Sequence, residues 1–231
     1  EVAAASGTLL RVLANSFNSH PEVVFVFTGS RYGLVRALLD PPTGSPLFGR
    51  SPATIELHPF TPERSLEFLE RGLREYHRTV DRDQLRAVID RSLDGVPGWL
   101  TLFGSHLALQ RLSVEKAEEL TVAEARKVVR GELAHFLKGR ERGTHWDALR
   151  LMVSGASWTE IRDGLAARRG SPVNDNTVRN VVRNLSAAGL VEKVDDRYVL
   201  PDPMVRGYVR SLARPPEPRP EDERRRSASA D

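Results

Sequence analysis

Thr28 and Ser30 flank Gly29 at the end of an apolar run, Val23-Val24-Phe25-Val26-Phe27. A short segment that is apolar on both faces reads as a strand buried inside a parallel sheet. Open α/β sheets bind ligands at the carboxyl ends of their strands, so these two hydroxyls stand where a phosphate or its attacking water would be met. The plain alternative is a strand that ends in an ordinary turn. Arg50 comes after Ser45-Pro46-Leu47-Phe48-Gly49 and just before the alternating segment Ala53-Thr54-Ile55-Glu56-Leu57. A guanidinium beside strand ends that carry hydroxyls can pair with a phosphate held by its own or a neighbouring subunit.

Other chemistries lack their residues. The chain has no cysteine, which excludes disulfides, thiolate zinc sites and a cysteine nucleophile. Its six histidines are expected to make no His-x-x-x-His or Glu-x-x-His helical pairing, and no Gly-x-Ser-x-Gly elbow occurs, so neither a metal centre nor a serine hydrolase is expected. With 34 basic and 31 acidic residues the net charge is only +3, too small to identify a nucleic-acid binder by charge alone. No run approaches the roughly 20 apolar residues that span a bilayer, and no charged-then-apolar leader opens the chain. A cytoplasmic protein with no membrane partner is expected.

The elements that must position Thr28, Ser30 and Arg50 follow from periodicity. Residues 7–18 predict a helix with Leu9, Leu10, Leu13 and Phe17 on one side, and residues 32–39 a second. Only two strands, Val23–Phe27 and Ala53–Leu57, serve the amino-terminal part, although the first needs neighbours on both sides. After Leu57 the pattern turns helical. Thr61 caps a helix with Pro62 in its first turn and Leu66, Leu69 and Leu73 inward. Asp81 starts another, ended by Gly95; Pro97 opens a third through Trp99, Leu100, Phe103 and Leu107. Thr121 with Glu124 predicts a capping box for a fourth that buries Val128, Val129, Leu133 and Phe136.

From about Thr144 the order is helix, helix, helix, hairpin, which is that of a winged helix. Thr144 with Asp147 and Ser157 with Glu160 supply two capping pairs, and Asn174 precedes the third helix, which ends at Gly189. Strands Leu190–Val194 and Tyr198–Leu200 enclose an Asp195-Asp196-Arg197 turn. On the third helix Asn176, Arg179, Asn180 and Arg183 share the face opposite Val178, Val181, Val182 and Leu185. Asn and Arg can read adenine and guanine edges in double-stranded DNA; the plain alternative is a solvated face, and a protein-protein or autoinhibitory role for the domain is equally compatible. Between Thr144 and Leu200 there are eight basic and seven acidic residues, a difference of +1. Affinity for DNA would therefore require Arg168, Arg169, Arg179, Arg183 and Arg197 to gather on one surface. Asp202 and Pro203 start a last helix, and the proline-rich, charged stretch from Arg214 reads as a disordered tail.

Phe27-Thr28-Gly29-Ser30, Ser45-Pro46-Leu47-Phe48-Gly49-Arg50 and Gly95-Val96-Pro97-Gly98-Trp99, in this order, resemble the archaeal P-loop ATPases of the AAA+/STAND group. The resemblance runs from about Leu9 to about Leu212. It implies an α/β part followed by a mainly α part: residues 1–58 as the carboxyl-terminal half of a P-loop core with a partial parallel sheet, 59–140 as a helical lid, 141–212 as the winged helix and 213–231 as the tail. It further implies ATP and Mg2+ as cofactors. Thr28 or Ser30 would sense the γ-phosphate and Arg50 would stabilise phosphate charge in cis or in trans. Pro59, Phe60, Gly95, Val96 and Pro97 would close over adenine and phosphates, and the lid would relay the nucleotide state to the winged helix. Residue types agree with those roles, since a glycine-proline turn permits close backbone approach and an aromatic beside proline offers a base an apolar wall.

The sequence departs from the family in two places. It contains no Gly-Lys pair, hence no Gly-x-x-x-x-Gly-Lys-Ser/Thr phosphate loop, and no apolar strand that ends in the magnesium-side carboxylates. The first residue is Glu1, so the chain reads as the later part of a longer ATPase, inactive and without tight ATP binding by itself. Two other readings stay open: a winged-helix DNA-binding regulator in which residues 1–140 serve only assembly, including self-association, and a scaffold that binds neither nucleotide nor DNA.

Overall fold

The computed structural model describes residues 2–20, 22–26, 43–49, 53, 55 and 57–217, with side chains from Thr8 onward. Contacts between Cα atoms divide the chain into two units, Glu1–Leu57 with Arg183–Gly189, and His58–Val182 with Leu190–Asp231. In the first unit, helix α1 (Val2–Ser19) turns Leu10, Leu13 and Ala14 onto Leu47. Phe17 and Phe25 flank this small core and meet edge to face, with ring centroids 4.9 Å apart.

The parallel sheet expected from Val23–Phe27 and Ala53–Leu57 is not formed among the described residues. Val23 to Val26 have no strand partner there, and Val24 and Val26 are 84% and 81% exposed. Ile55 and Leu57 are equally open to solvent. Apolarity on both faces is a preference for burial, and a strand needs ladder partners that the described residues of these segments do not supply to each other. The helix predicted at residues 32–39 lies outside the described residues.

Among its described residues the second unit is helical apart from one hairpin. Helix α2 (Pro62–Glu75) has Thr61 as its cap, accepting from the Arg64 amide, with Leu66, Leu69 and Leu73 buried. Helix α3 (Arg82–Val88) is capped by Asp81, whose carboxylate accepts from the amides of Asp83 and Gln84. It runs directly into a π-helical turn, Ile89–Leu93. Helix α4 (Pro97–Ala108) packs on α2 and on the long α5 (Val114–Leu137). Leu85, Leu93, Leu100, Phe103, Leu107 and Leu133 form the fully buried interior of this layer. Fully burying side chains of this size contributes about 1.5–3 kcal/mol each, before ordering costs are set against it.

Two expected helix starts are corrected. Ser113, not Thr121, caps α5, and its hydroxyl accepts from the Lys116 amide. Thr121 is buried inside the helix and its hydroxyl donates to the Ala117 carbonyl at 2.7 Å. The buried stripe runs Ala117, Thr121, Ala125, Val129, Leu133, which leaves Val128 half exposed beside it. Likewise α6 (Arg142–Met152) starts before Thr144. Thr144 is a buried first-turn residue whose hydroxyl accepts from Arg169.

Helix α7 (Trp158–Arg169) carries the complete capping box expected of Ser157 and Glu160. The Ser157 amide and, less strongly, Arg197 hold the Glu160 carboxyl below the ordinary carboxylate range. Helix α8 (Asp175–Ala187) starts where the Asn174 side chain accepts from the Thr177 amide, and its Val178, Val181, Val182 and Leu185 are buried. Strands β1 (Glu192–Val194) and β2 (Arg197–Val199) pair antiparallel, Lys193 opposite Tyr198, around the Asp195-Asp196 turn. Ala156 adds a third, single-residue rung through paired hydrogen bonds with Tyr198. Helix α9 (Pro203–Ser211) then packs on α5, on the π turn and on α6. Residues 213–217 continue along α6. Arg150 donates to the Ala213 carbonyl, Arg142 donates to that of Pro216, and Pro216 is buried. The fold is therefore mostly helical with a small two-stranded antiparallel sheet near the carboxyl end, as a helical lid and a winged-helix hairpin require.

Candidate functional site

Phe60 precedes the cap of α2, and Gly95 links the π turn to α4; local chemistry brings the two together. The Asp94 amide donates to the Ile89 carbonyl at 2.8 Å, the five-residue reach of a π turn, and Asp94 itself is left-handed with φ 46°. Gly95 follows with φ 72°. The Phe60 amide donates to the Gly95 carbonyl at 2.8 Å, and a Cβ on Gly95 would lie 2.0 Å from the Phe60 carbonyl oxygen. Only glycine satisfies both the backbone angle and the approach.

Beyond Gly95 the Val96 amide returns to Leu93 and the Val96 carbonyl accepts from Leu100, opening α4. Pro97 occupies the first turn, where no amide hydrogen is needed. Val96 has no side-chain cap to offer the amides of Gly98 and Trp99. Pro97 and Gly98 are exposed, and a Cβ at Gly98 would meet nothing within 4 Å. Uncapped amides at the positive end of a helix suit an anion such as phosphate. The half-buried Phe60 ring leans on Phe68 with centroids 5.7 Å apart, and Pro59 lies exposed beside it in the chain. Phe60, Gly95, Val96 and Pro97 thus surround one junction. Thr28, Ser30 and Arg50 lie outside the described residues.

The back of this junction is occupied by α9, a helix the sequence predicts from Asp202 and Pro203 without assigning it to the site. The Trp99 indole N–H donates to both Asp202 carboxylate oxygens at 3.1 Å. Asp202 also caps α9, accepting from the amides of Met204 and Val205. Arg206 donates to the Asp94 carboxylate and to the Leu200 carbonyl. The π turn has a second anchor on α5, where Glu118 accepts from Arg91 and from the Ser92 hydroxyl. Arg91 chiefly accounts for the lowered pKa of Glu118. Nearby, burial and then the Asp202 charge push the Glu132 carboxyl up.

The winged-helix arginines are largely committed. Arg168 pairs with Asp147, Arg169 with Glu141, and Arg197 with Glu160 while also donating to the Gly155 carbonyl. Asn176, Arg179, Asn180 and Arg183 are exposed on α8, as their spacing requires. Arg179 nevertheless donates to Asn176 at 2.9 Å, and neither Asn180 nor Arg183 is a free side chain.

Glu132-Leu133-Ala134-His135 does place a carboxylate and an imidazole one helical turn apart. Among the described residues, however, no three His, Asp or Glu side chains are grouped to hold a metal ion. Nor is any described helix long and apolar enough to cross a membrane.

No protein-family model matches the chain. No curated protein matches it either. Among solved structures it is similar to the Walker-type ATPase PABY2304 of Pyrococcus abyssi, with a TM-score of 0.77 and 29% sequence identity. The similarity covers 88% of this chain and 57% of that one, so the chain spans little more than half of the length of the ATPase it resembles. The chain is structurally homologous to an archaeal Walker-type ATPase.

Proposed function

We propose that this chain is the lid and winged-helix portion of an ATP-dependent switch of the AAA+/STAND kind. The carrying observation is the Phe60–Gly95 junction at the uncapped start of α4. It joins a half-buried aromatic residue to the turn that leads into open amides, the two features that a base and a phosphate need. The likeness to a Walker-type ATPase supplies the nucleotide class. In this reading Pro59 and Phe60 wall the base, while Gly95, Val96 and Pro97 shape the turn whose following amides meet phosphate charge. Thr28, Ser30 and Arg50 are assigned to the γ-phosphate side. ATP supplies the phosphoanhydride whose hydrolysis resets the switch; magnesium is assigned to no residue of this chain.

The winged helix acts in this reading as a protein-contact module. Three of the five arginines on which DNA affinity would depend are neutralised by carboxylates of the same unit, so counterion release offers little affinity.

Titration of a fluorescent ATP analogue into the full-length gene product tests the nucleotide assignment. Binding should be saturable and competed by ATP, and Phe60→Ala should weaken it by about tenfold, the scale of base–aromatic stacking. Absence of competable binding in the unaltered protein would refute the reading.

A further inference from the structure

The contacts behind the nucleotide turn carry an inference that rests on that reading and goes past it. Asp94 and Trp99 bracket Gly95-Val96-Pro97-Gly98 in sequence, and each is held by a residue of the carboxyl-terminal segment more than a hundred positions away. Arg206 holds Asp94, whose left-handed backbone sets up the turn, and Asp202 holds Trp99 in the first turn of α4. Asp202 is itself fixed, because the same carboxylate caps α9. Arg206 is fixed by its second hydrogen bond to the Leu200 carbonyl, at the end of the wing. Every joint in this chain of contacts is a directional hydrogen bond to a charged partner, the kind that sets geometry as well as energy.

We propose that Asp94, Trp99, Asp202 and Arg206 are positioning residues through which α9 holds the nucleotide turn in its binding shape. The lid and the end of the wing then move as one body. A partner that displaces α9 loosens the turn and releases nucleotide, and by linkage nucleotide binding strengthens the seating of α9 to the same extent. None of the four side chains is assigned a contact with nucleotide; Trp99 offers phosphate only its backbone amide, which Trp99→Phe retains.

The absence of cysteine and the ordinary size of the substitutions make the test direct. Arg206→Ala removes one joint, Trp99→Phe removes the other while keeping an aromatic ring, and Arg206→Lys keeps the charge. Hydrogen exchange on the 231-residue chain should accelerate about tenfold at the Asp94, Val96 and Leu100 amides in the first two variants. Amides of α7 should be unchanged. Exchange at wild-type rates in both variants would overturn the proposal, whatever the nucleotide result. In the full-length gene product the same two variants should weaken the fluorescent ATP analogue at least about fivefold, the lower range of measured couplings, with Arg206→Lys intermediate. Unaltered affinity in both variants, with normal binding by the unaltered protein, would overturn the coupling and leave the nucleotide assignment standing. No binding by the unaltered protein would refute that assignment and the coupling with it, while the exchange experiment would still decide whether α9 positions the turn.

Discussion

At Gly95 two independent demands fall on one Cα, a positive φ and a neighbouring carbonyl 2.0 Å from where a Cβ would sit. Gly95→Ala is accordingly expected to destabilise the second unit by about 2–5 kcal/mol, the sum of a left-handed penalty and an overpacking penalty. A denaturant midpoint shift at constant slope measures it. Glu132 makes a subtler residue-level case. Its folded-state pKa lies above the unfolded value, because of burial first and the Asp202 charge second. The ionised form is therefore a penalty at neutral pH, relieved as pH falls through the folded pKa. Glu132→Gln should raise the melting temperature at pH 7 by about a degree, an amount discounted for solvent screening, and the gain should vanish below the unfolded carboxyl pKa of about 4.3. The importance of Gly95 was legible in the sequence, since glycine before Val-Pro at a helix junction has few explanations. The partnership of Trp99 with Asp202 was not, because nothing local connects residues 103 positions apart.

Among elements, start signals proved reliable at five helices and misleading at Thr121 and Thr144, where the helix begins before the threonine. Thr61, Asp81, Ser157, Asn174 and Asp202 each cap the helix they precede. Thr121 does not, because Glu115, Lys116, Ala117, Glu118 and Glu119 are good helix formers and carry α5 straight through it. A Thr-x-x-Glu pattern inside such a run is only a back-bonded threonine. The amino-terminal strands expose a different limit. Apolar alternation reports what a segment would bury, and pairing depends on residues elsewhere.

For the whole molecule, the pairing of charges bears on the kind of partner. A net charge of +3 left DNA binding open, and the pairing of Arg168, Arg169 and Arg197 narrows it. The 231-residue chain should bind a labelled duplex no tighter than the nonspecific range of about 10⁻⁴ to 10⁻⁶ M at physiological salt. Nanomolar binding with a steep salt slope, lost in Arg179→Ala and Arg183→Ala, would instead establish the regulator reading. The same chain, with no Gly-Lys pair, should give no micromolar ATP signal in a calorimeter.

The π turn at Ile89–Leu93 amounts to one surplus residue wound into an otherwise ordinary helix. Removing a single residue there would let the helix relax to 3.6 per turn, a gain for its own hydrogen bonding. Everything downstream would then be rotated by about 100° and drawn back about 1.5 Å. Asp94 would swing away from Arg206, and Gly95 from Phe60. Evolution of this turn is thus quantised: side chains can drift by small steps, whereas a frameshift of the spiral detaches Phe60, Gly95 and α9 from one another at one stroke.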